Sequence, residues 1–380
     1  MLNDTYNPDA TLVDQLFHRQ LEVGLHRGAQ LAVYHDGDLV IDLAGGDADP
    51  SGEPMSTTRR NLLFSCSKVF VATCIHQLVE RDRLGYNDPI VDYWPGFAAG
   101  DSRKKSVTVR HILTHRSGIP TGPLDSNPSK WTDWDTIVQE LEALELVTEP
   151  GSTVAYHPLN FGWMLGELLR RVTGTCLGKY ATENIFSPLG MTKTAYGGSD
   201  KRIDDVATLD GFHTFDRCRD PSEGISGSEP GDSAALFNDP TVRNSHCPAA
   251  NFVGTAQDLA RFFACLGNGG KFDNTRILDS TTVQEATRVV CETQSDGTLS
   301  RPMRYTMGFW RGGSVSDSFG VCPRPWIFGH VGLGSTIGWA DPRHDLAFAY
   351  VTNGIREESH EHSTRVNSLI EAVYEEVISP

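Results

Sequence analysis

The sequence predicts an α/β fold of the α+β type: an antiparallel sheet flanked by helices, with a mainly helical lobe inserted into it. Three regions carry that prediction. Residues 11–81 read as a helix, a hairpin and a second, long apolar helix. Residues 90–245 read as short helices joined by loops rich in Gly, Ser, Asp and Pro. The remainder returns to strand-like runs and closes on a helix. This places a sheet domain in 1–89 plus 246–380 and a helical lobe in 90–245, and 380 residues is longer than one hydrophobic core usually serves.

Each element has its own signal. Apolar residues at Leu12, Val13, Leu16, Phe17, Leu21 and Leu25 recur every three to four positions and predict a helix over Thr11–Leu25. Two β-rich runs, Gly28–His35 and Asp38–Leu43, meet across Asp36-Gly37, a strong hairpin signal. A loop through Gly45-Gly46 and Pro50-Ser51-Gly52 then leads to Leu62–Arg81, an apolar run of helix length. Val107–His115 predicts a short helix ending at Ser117-Gly118. Trp134–Leu146 and Gly162–Val172 predict two more, the second stopped by Thr173-Gly174. Residues 196–250 read as loops. Thr255 is a natural N-cap for a helix over Thr255–Leu266, with Gly267 as its stop. Met307–Trp310, Trp326–Val331, Ser335–Ala340 and Asp345–Thr352 predict strands, and Ser363–Val377 a final helix.

Bulk properties narrow the function. A hydrophobic content of 39% and a charged content of 22% are those of a globular protein. A formal net charge of -16 argues against nucleic acid or an anionic membrane as partner, since both need basic patches. The N-terminus shows no basic-then-apolar secretion signal, and no apolar run approaches the length of a membrane span. Eight scattered cysteines without a Cys-x-x-Cys pair then read as free thiols, and a cytoplasmic enzyme is expected.

The chemistry concentrates at Phe64-Ser65-Cys66-Ser67-Lys68, the head of the long apolar helix. Residues three apart share a helix face, so a helix starting at Ser65 brings Lys68 beside it. A buried lysine loses its proton readily and then takes one from a serine, the Ser-Lys form of nucleophilic catalysis. The plainer reading is an N-cap serine and a surface lysine. Ser102-Arg103-Lys104-Lys105 repeats the spacing in a polar stretch with no apolar helix behind it, and reads as non-catalytic. No Gly-x-Ser-x-Gly, His-Glu-x-x-His or glycine-rich phosphate loop is present. His111 and His115, four apart, read as capping or packing residues, because no acidic third ligand accompanies them. His360 and His362 read as solvent-exposed, and Cys66 as a small residue in a tight helix start.

Further motifs follow in order: Leu113-Thr114-His115-Arg116-Ser117-Gly118, Pro150-Gly151-Ser152 with Ala155-Tyr156-His157-Pro158, Pro188-Leu189-Gly190-Met191, and Gly329-His330-Val331-Gly332. Together with Phe-Ser-x-Ser-Lys they resemble the serine β-lactamase and penicillin-binding-protein superfamily. The branch most similar is the class C β-lactamase-related family VIII carboxylesterases. The resemblance implies a β-lactamase/transpeptidase-like fold with the site between the two lobes and no cofactor or metal. It makes Ser65 the nucleophile. Tyr156 matches the tyrosine that, as phenolate or hydrogen-bonded phenol, shuttles protons with Lys68, the two acting as general bases. It puts the oxyanion hole at the N–H groups of Ser65 and Leu333, the latter following Gly332 on an edge strand. Trp310, Phe309 and Phe161 are candidates to line the acyl pocket.

Two departures from the family pattern matter. The tyrosine motif, usually Tyr-x-Asn, has Pro158 in its third place, with Asn160 two residues on. The third motif, often Lys-Thr-Gly, is His330-Val331-Gly332, and histidine carries a weaker, pH-dependent charge. Lys193-Thr194-Ala195 matches that triplet in letters only. Both departures favour a neutral, small-molecule ester over a carboxylated β-lactam. A β-lactamase or D-Ala peptidase, an acyltransferase, and a non-catalytic binding protein remain alternatives on the same residues. Oligomeric state is not legible in the sequence.

Overall fold

A computed structural model describes residues 11–198, 203–211, 230–313, 317–355 and 363–379. His360 and His362 lie outside them. The principal helices are α1 (Leu12–Glu22), α2 (Ser67–Glu80), α3 (Val109–Leu113), α4 (Trp134–Ala143), α5 (Asn160–Thr173), α6 (Ala256–Gly267) and α7 (Ser368–Val373). Their starts follow local chemistry. Thr11, Thr108 and Thr255 accept hydrogen bonds from Asp14, His111 and Asp258 N–H, filling donors that a first helical turn leaves unpaired. His111 returns the favour by accepting from Thr108 N–H, so its role is capping.

Among the described residues, one eight-stranded sheet dominates. Its strands are β1 (Gly28–His35), β2 (Asp38–Gly46), β3 (Cys291–Thr293), β4 (Met303–Tyr305), β5 (Trp310–Arg311), β6 (Phe328–Val331), β7 (Ile337–Asp341) and β8 (Leu346–Thr352). The order is β2-β1-β8-β7-β6-β5-β4-β3, antiparallel throughout. β1 and β2 turn through Asp36 and Gly37 at φ 51° and 84°, both positive as a type I′ turn requires.

Period-two alternation sorts side chains onto two cores. Ala32, Tyr34, Ala347 and Ala349 point into the core containing α2 and α6. Leu31, Val33, Phe348 and Tyr350 point into the core capped by α1 and α7. The alanines let α6 lie close across β1, β7 and β8. The larger residues on the other face each contribute about 1.5–3 kcal/mol by leaving water. No helix among the described residues is long and apolar enough to cross a membrane.

Three expectations are corrected. Met307–Phe309 is not strand but the bend joining β4 to β5, with Gly308 at φ 94° and its N–H bonded to Leu113 O. β3 and β4 went unpredicted because three residues are too few to establish an alternating pattern. Within 196–250, Pro230–Asn238 and Pro240–Arg243 are helical. Asp239 caps the second, and Pro240 at its first position is a start signal hidden in a loop-like composition.

Candidate active site

The nucleophile candidate sits on a short 3₁₀ turn, Phe64–Cys66, immediately before α2, so Ser65 precedes the α-helix rather than opening it. Phe64 has φ 46°, a conformation that an L side chain rarely adopts and that costs about 1–3 kcal/mol. The turn is pinned on both sides. Ser67 Oγ accepts from Phe252 N–H at 3.2 Å, and the Cys66 thiol donates to His330 O at 3.2 Å. Burial pushes the Cys66 thiol up to about 12, which leaves it a packing group.

Lys68 is 0% exposed. Its Nζ lies 3.1 Å from Ser65 Oγ, 2.7 Å from Pro158 O and 3.3 Å from Ala249 O. Burial pushes its pKa down to about 7, against small opposing contributions from Cys247, Cys66 and Asp125. The three partners suit the neutral amine, which has two N–H groups and one lone pair. Two carbonyls can only accept, so they take both N–H groups. In the neutral form the lone pair then faces the Ser65 hydroxyl, whose oxygen accepts from Nζ when the amine is charged.

Tyr156 is buried, with its ring centroid 4.9 Å from Lys68 Nζ. Its ring packs against His115 at 4.7 Å, Trp310 at 5.8 Å and His330 at 6.1 Å. Burial raises its pKa well above that of a free tyrosine, opposed most by the Ser65 hydroxyl. Of the two forms considered for Tyr156, this environment favours the phenol. The hydroxyl has no hydrogen-bond partner at standard distance, a condition that costs a buried group about 1–3 kcal/mol.

His330 is also neutral. Burial drives its pKa down to about 3, and its Nδ1 is 2.8 Å from Val331 O. The weak positive charge expected at this position is therefore absent at neutral pH. Trp310 packs at a tilt on His330, 4.7 Å between ring centres, and backs the Tyr156 ring, while the Arg301 guanidinium lies 5.2 Å from the centre of the indole ring.

β6 is an interior strand, not an edge. β5, however, pairs only with Phe328 and Gly329, so among the described residues His330 and Val331 have no strand partner on that side. A Cβ on Gly332 would stand 2.7 Å from Leu63 O, 3.0 Å from Phe64 Cβ and 3.3 Å from Ser65 N. Only glycine lets the end of β6 run this close to the nucleophile turn. Leu333 follows it, 44% exposed.

The structure thus brings together Ser65, Lys68, Tyr156, His330, Gly332 and Trp310. Asn160 is not among Lys68's partners. It is buried at the start of α5, and its Nδ2 donates to Ile119 O at 3.1 Å. The Pro158 carbonyl contacts Lys68 instead. Phe309 and Phe161 are core residues rather than pocket lining: Phe309 lies between His76 and Phe328, and Phe161 packs on His115. Lys193–Ala195 leads into a short strand, Ala195–Tyr196, rather than lying in a helix. The carbonyls of Pro158 and Ala249 were invisible in the sequence, because every residue carries one.

Comparison with known proteins gives a consistent picture. The Beta-lactamase family model matches residues 13–371. The chain is 32% identical over 343 residues to the Mycobacterium tuberculosis protein named Esterase/beta-lactamase LipL, covering 86% of this chain and 77% of that one. Among solved structures it is similar to a penicillin-binding protein homolog from Caulobacter crescentus, with TM-score 0.81, 31% identity and 96% of each chain covered. It is also similar to a family VIII carboxylesterase, with TM-score 0.80, 30% identity, and 95% of this chain and 96% of that one covered.

Proposed function

The chain belongs to the beta-lactamase family, and from that premise we propose that it is a carboxylesterase cleaving small, uncharged esters through an acyl-Ser65 intermediate. The arrangement around Lys68 carries the reading: two carbonyls occupy its N–H groups, leaving its lone pair 3.1 Å from the serine hydroxyl.

In acylation, Lys68 takes the Ser65 proton as Oγ attacks the ester carbonyl. Charge developing on the carbonyl oxygen meets the N–H groups of Ser65 and Leu333, each such donor contributing about 3 kcal/mol. The Tyr156 phenol gives its proton to the departing alkoxide and is reprotonated from Lys68. In deacylation, water attacks the acyl carbon and its proton passes through Tyr156 to Lys68, which returns one to Ser65 Oγ. The unpaired Tyr156 hydroxyl supports this role, because the leaving oxygen would supply its missing partner.

Three features favour neutral esters over carboxylated lactams. His330 offers no cation at neutral pH. Pro158 replaces an amide side chain, and Asn160 is bonded to Ile119 instead. The similarity to an esterase-named relative and to a family VIII carboxylesterase supports the same class. The test is a panel of short-chain p-nitrophenyl esters and nitrocefin, with mass-spectrometric location of the acyl group. Faster ester turnover with acyl on Ser65 is expected. Nitrocefin turnover exceeding ester turnover, or full activity in Ser65→Ala, would overturn the proposal.

A further inference from the structure

The buried carboxylate of Asp296 has no part in the chemistry above, yet it is tied to the segment that carries Tyr156. Asp296 is 1% exposed, in the connection between β3 and β4. A carboxylate that deep is tolerated only if its lone pairs are filled. Both oxygens accept from Tyr156 N–H at 3.0 Å. Oδ1 also accepts from Thr298 and Leu299 N–H, each at 2.8 Å, and Oδ2 accepts from the Tyr305 hydroxyl at 2.9 Å. One residue on, Gly297 N–H donates to Val154 O at 3.0 Å. The β3–β4 connection therefore grips the tyrosine segment at two backbone points.

His115 holds the same segment from the other side. His115 O accepts from Ala155 N–H, and its Nδ1 accepts from His157 N–H, both at 3.0 Å. The Tyr305 ring, anchored through Asp296, packs on His115 at 4.9 Å. The Tyr156 hydroxyl holds its own ring only weakly, since among the described residues it has no hydrogen-bond partner at standard distance and only the Ser65 hydroxyl acts on it from farther off. The direction of the phenol must then be set from its backbone and from ring packing.

We propose that Asp296 is a positioning residue for acyl transfer: its carboxylate fixes the Tyr156 backbone and thereby aims the phenol at Ser65. The inference rests on the reading of Tyr156 as proton carrier. The negative charge of Asp296 also raises the Tyr156 pKa, adding to the effect of burial and keeping the phenol protonated.

A double-mutant cycle separates positioning from mere structural support. It measures kcat and KM for a short-chain p-nitrophenyl ester in wild type, Asp296→Asn, Tyr156→Phe and the double variant. A misplacement of about 1 Å costs up to about a hundredfold, so Asp296→Asn should lower kcat by about ten- to a hundredfold with KM within about twofold. In the Tyr156→Phe background it should cost nothing further. An equal loss in both backgrounds, or no loss in wild type, overturns the inference. Wild-type kcat in Tyr156→Phe alone overturns the proton-carrier reading instead, which keeps the two failures distinct. If Asp296→Asn does not fold, Tyr305→Phe decides. It removes one donor from the carboxylate and should lower kcat about three- to tenfold in wild type and not at all beside Tyr156→Phe.

Discussion

Lys68 and Lys104 are both 0% exposed, and both point at backbone carbonyls. Lys104 Nζ donates to Leu141, Glu142 and Leu144 O, each at 2.9 Å, closing the C-terminal end of α4. Lys68 has two carbonyls and a serine hydroxyl. Burial lowers both, Lys104 to about 8 and Lys68 to about 7. An ammonium has three N–H groups, and three carbonyls use all of them, so the site at Lys104 holds the charged form as a helix cap. Replacing one carbonyl by a hydroxyl, which can donate, gives the amine lone pair a partner. That single exchange separates a structural lysine from a base, and it explains why the Ser-x-x-Lys spacing at Ser102/Lys105 means nothing chemically: its buried lysine is Lys104, off the motif.

The largest effect that tests this contrast is on turnover. Lys68→Met should reduce the ester kcat of the folded protein by about a thousandfold or more, because a general base contributes about 10²–10⁴. Lys104→Met should leave the turnover of folded protein near wild type. A comparable activity loss in both would erase the distinction. Next in size is Gly332→Ala, which forces the end of β6 away from Leu63 O and Ser65 N and should lower kcat about a hundredfold, measured as a drop with little change in KM.

Stability should fall in both variants, unlike turnover. Lys104→Met leaves Leu144 O without a donor, since Glu142 O keeps Gly100 N–H and Leu141 O keeps Leu144 N–H, and an unpaired buried acceptor costs about 1–3 kcal/mol. A loss of about 1–3 kcal/mol in denaturant titration is expected, and a loss at least as large for Lys68→Met, which strands the Pro158 and Ala249 carbonyls. Unchanged stability in Lys104→Met would show that its ammonium does not cap α4.

The parts of the fold legible in the sequence are those with a long repeat or a strong local signal. The 3.6-residue pattern of α1, the Asp36-Gly37 turn and the Thr255 cap all depend on side chains within one turn of one another. The nucleophile turn was legible for the same reason, since Ser65 and Lys68 are three residues apart. What escaped depends on distant backbone. β3 and β4 are too short to show a period. The Pro158 and Ala249 carbonyls that dispose the Lys68 proton carry no residue signature, and Asp296 belongs to no motif. Asn160 misled because adjacency in sequence does not set the direction of a side chain at a helix start. His330 kept its expected place but not its expected charge, which burial decides.

The central claim is that neutral Lys68 deprotonates Ser65. It is tested most directly by the pH dependence of the Ser65 acylation rate, followed by stopped-flow release of p-nitrophenol with the acyl-serine located by mass spectrometry. Protonation of Lys68 disables the base, so the rate should be low in acid and rise through pH of about 7 to a plateau, and the rise should vanish in Lys68→Met. A rate that does not change across that range, or one that keeps the same titration after Lys68→Met, would contradict it.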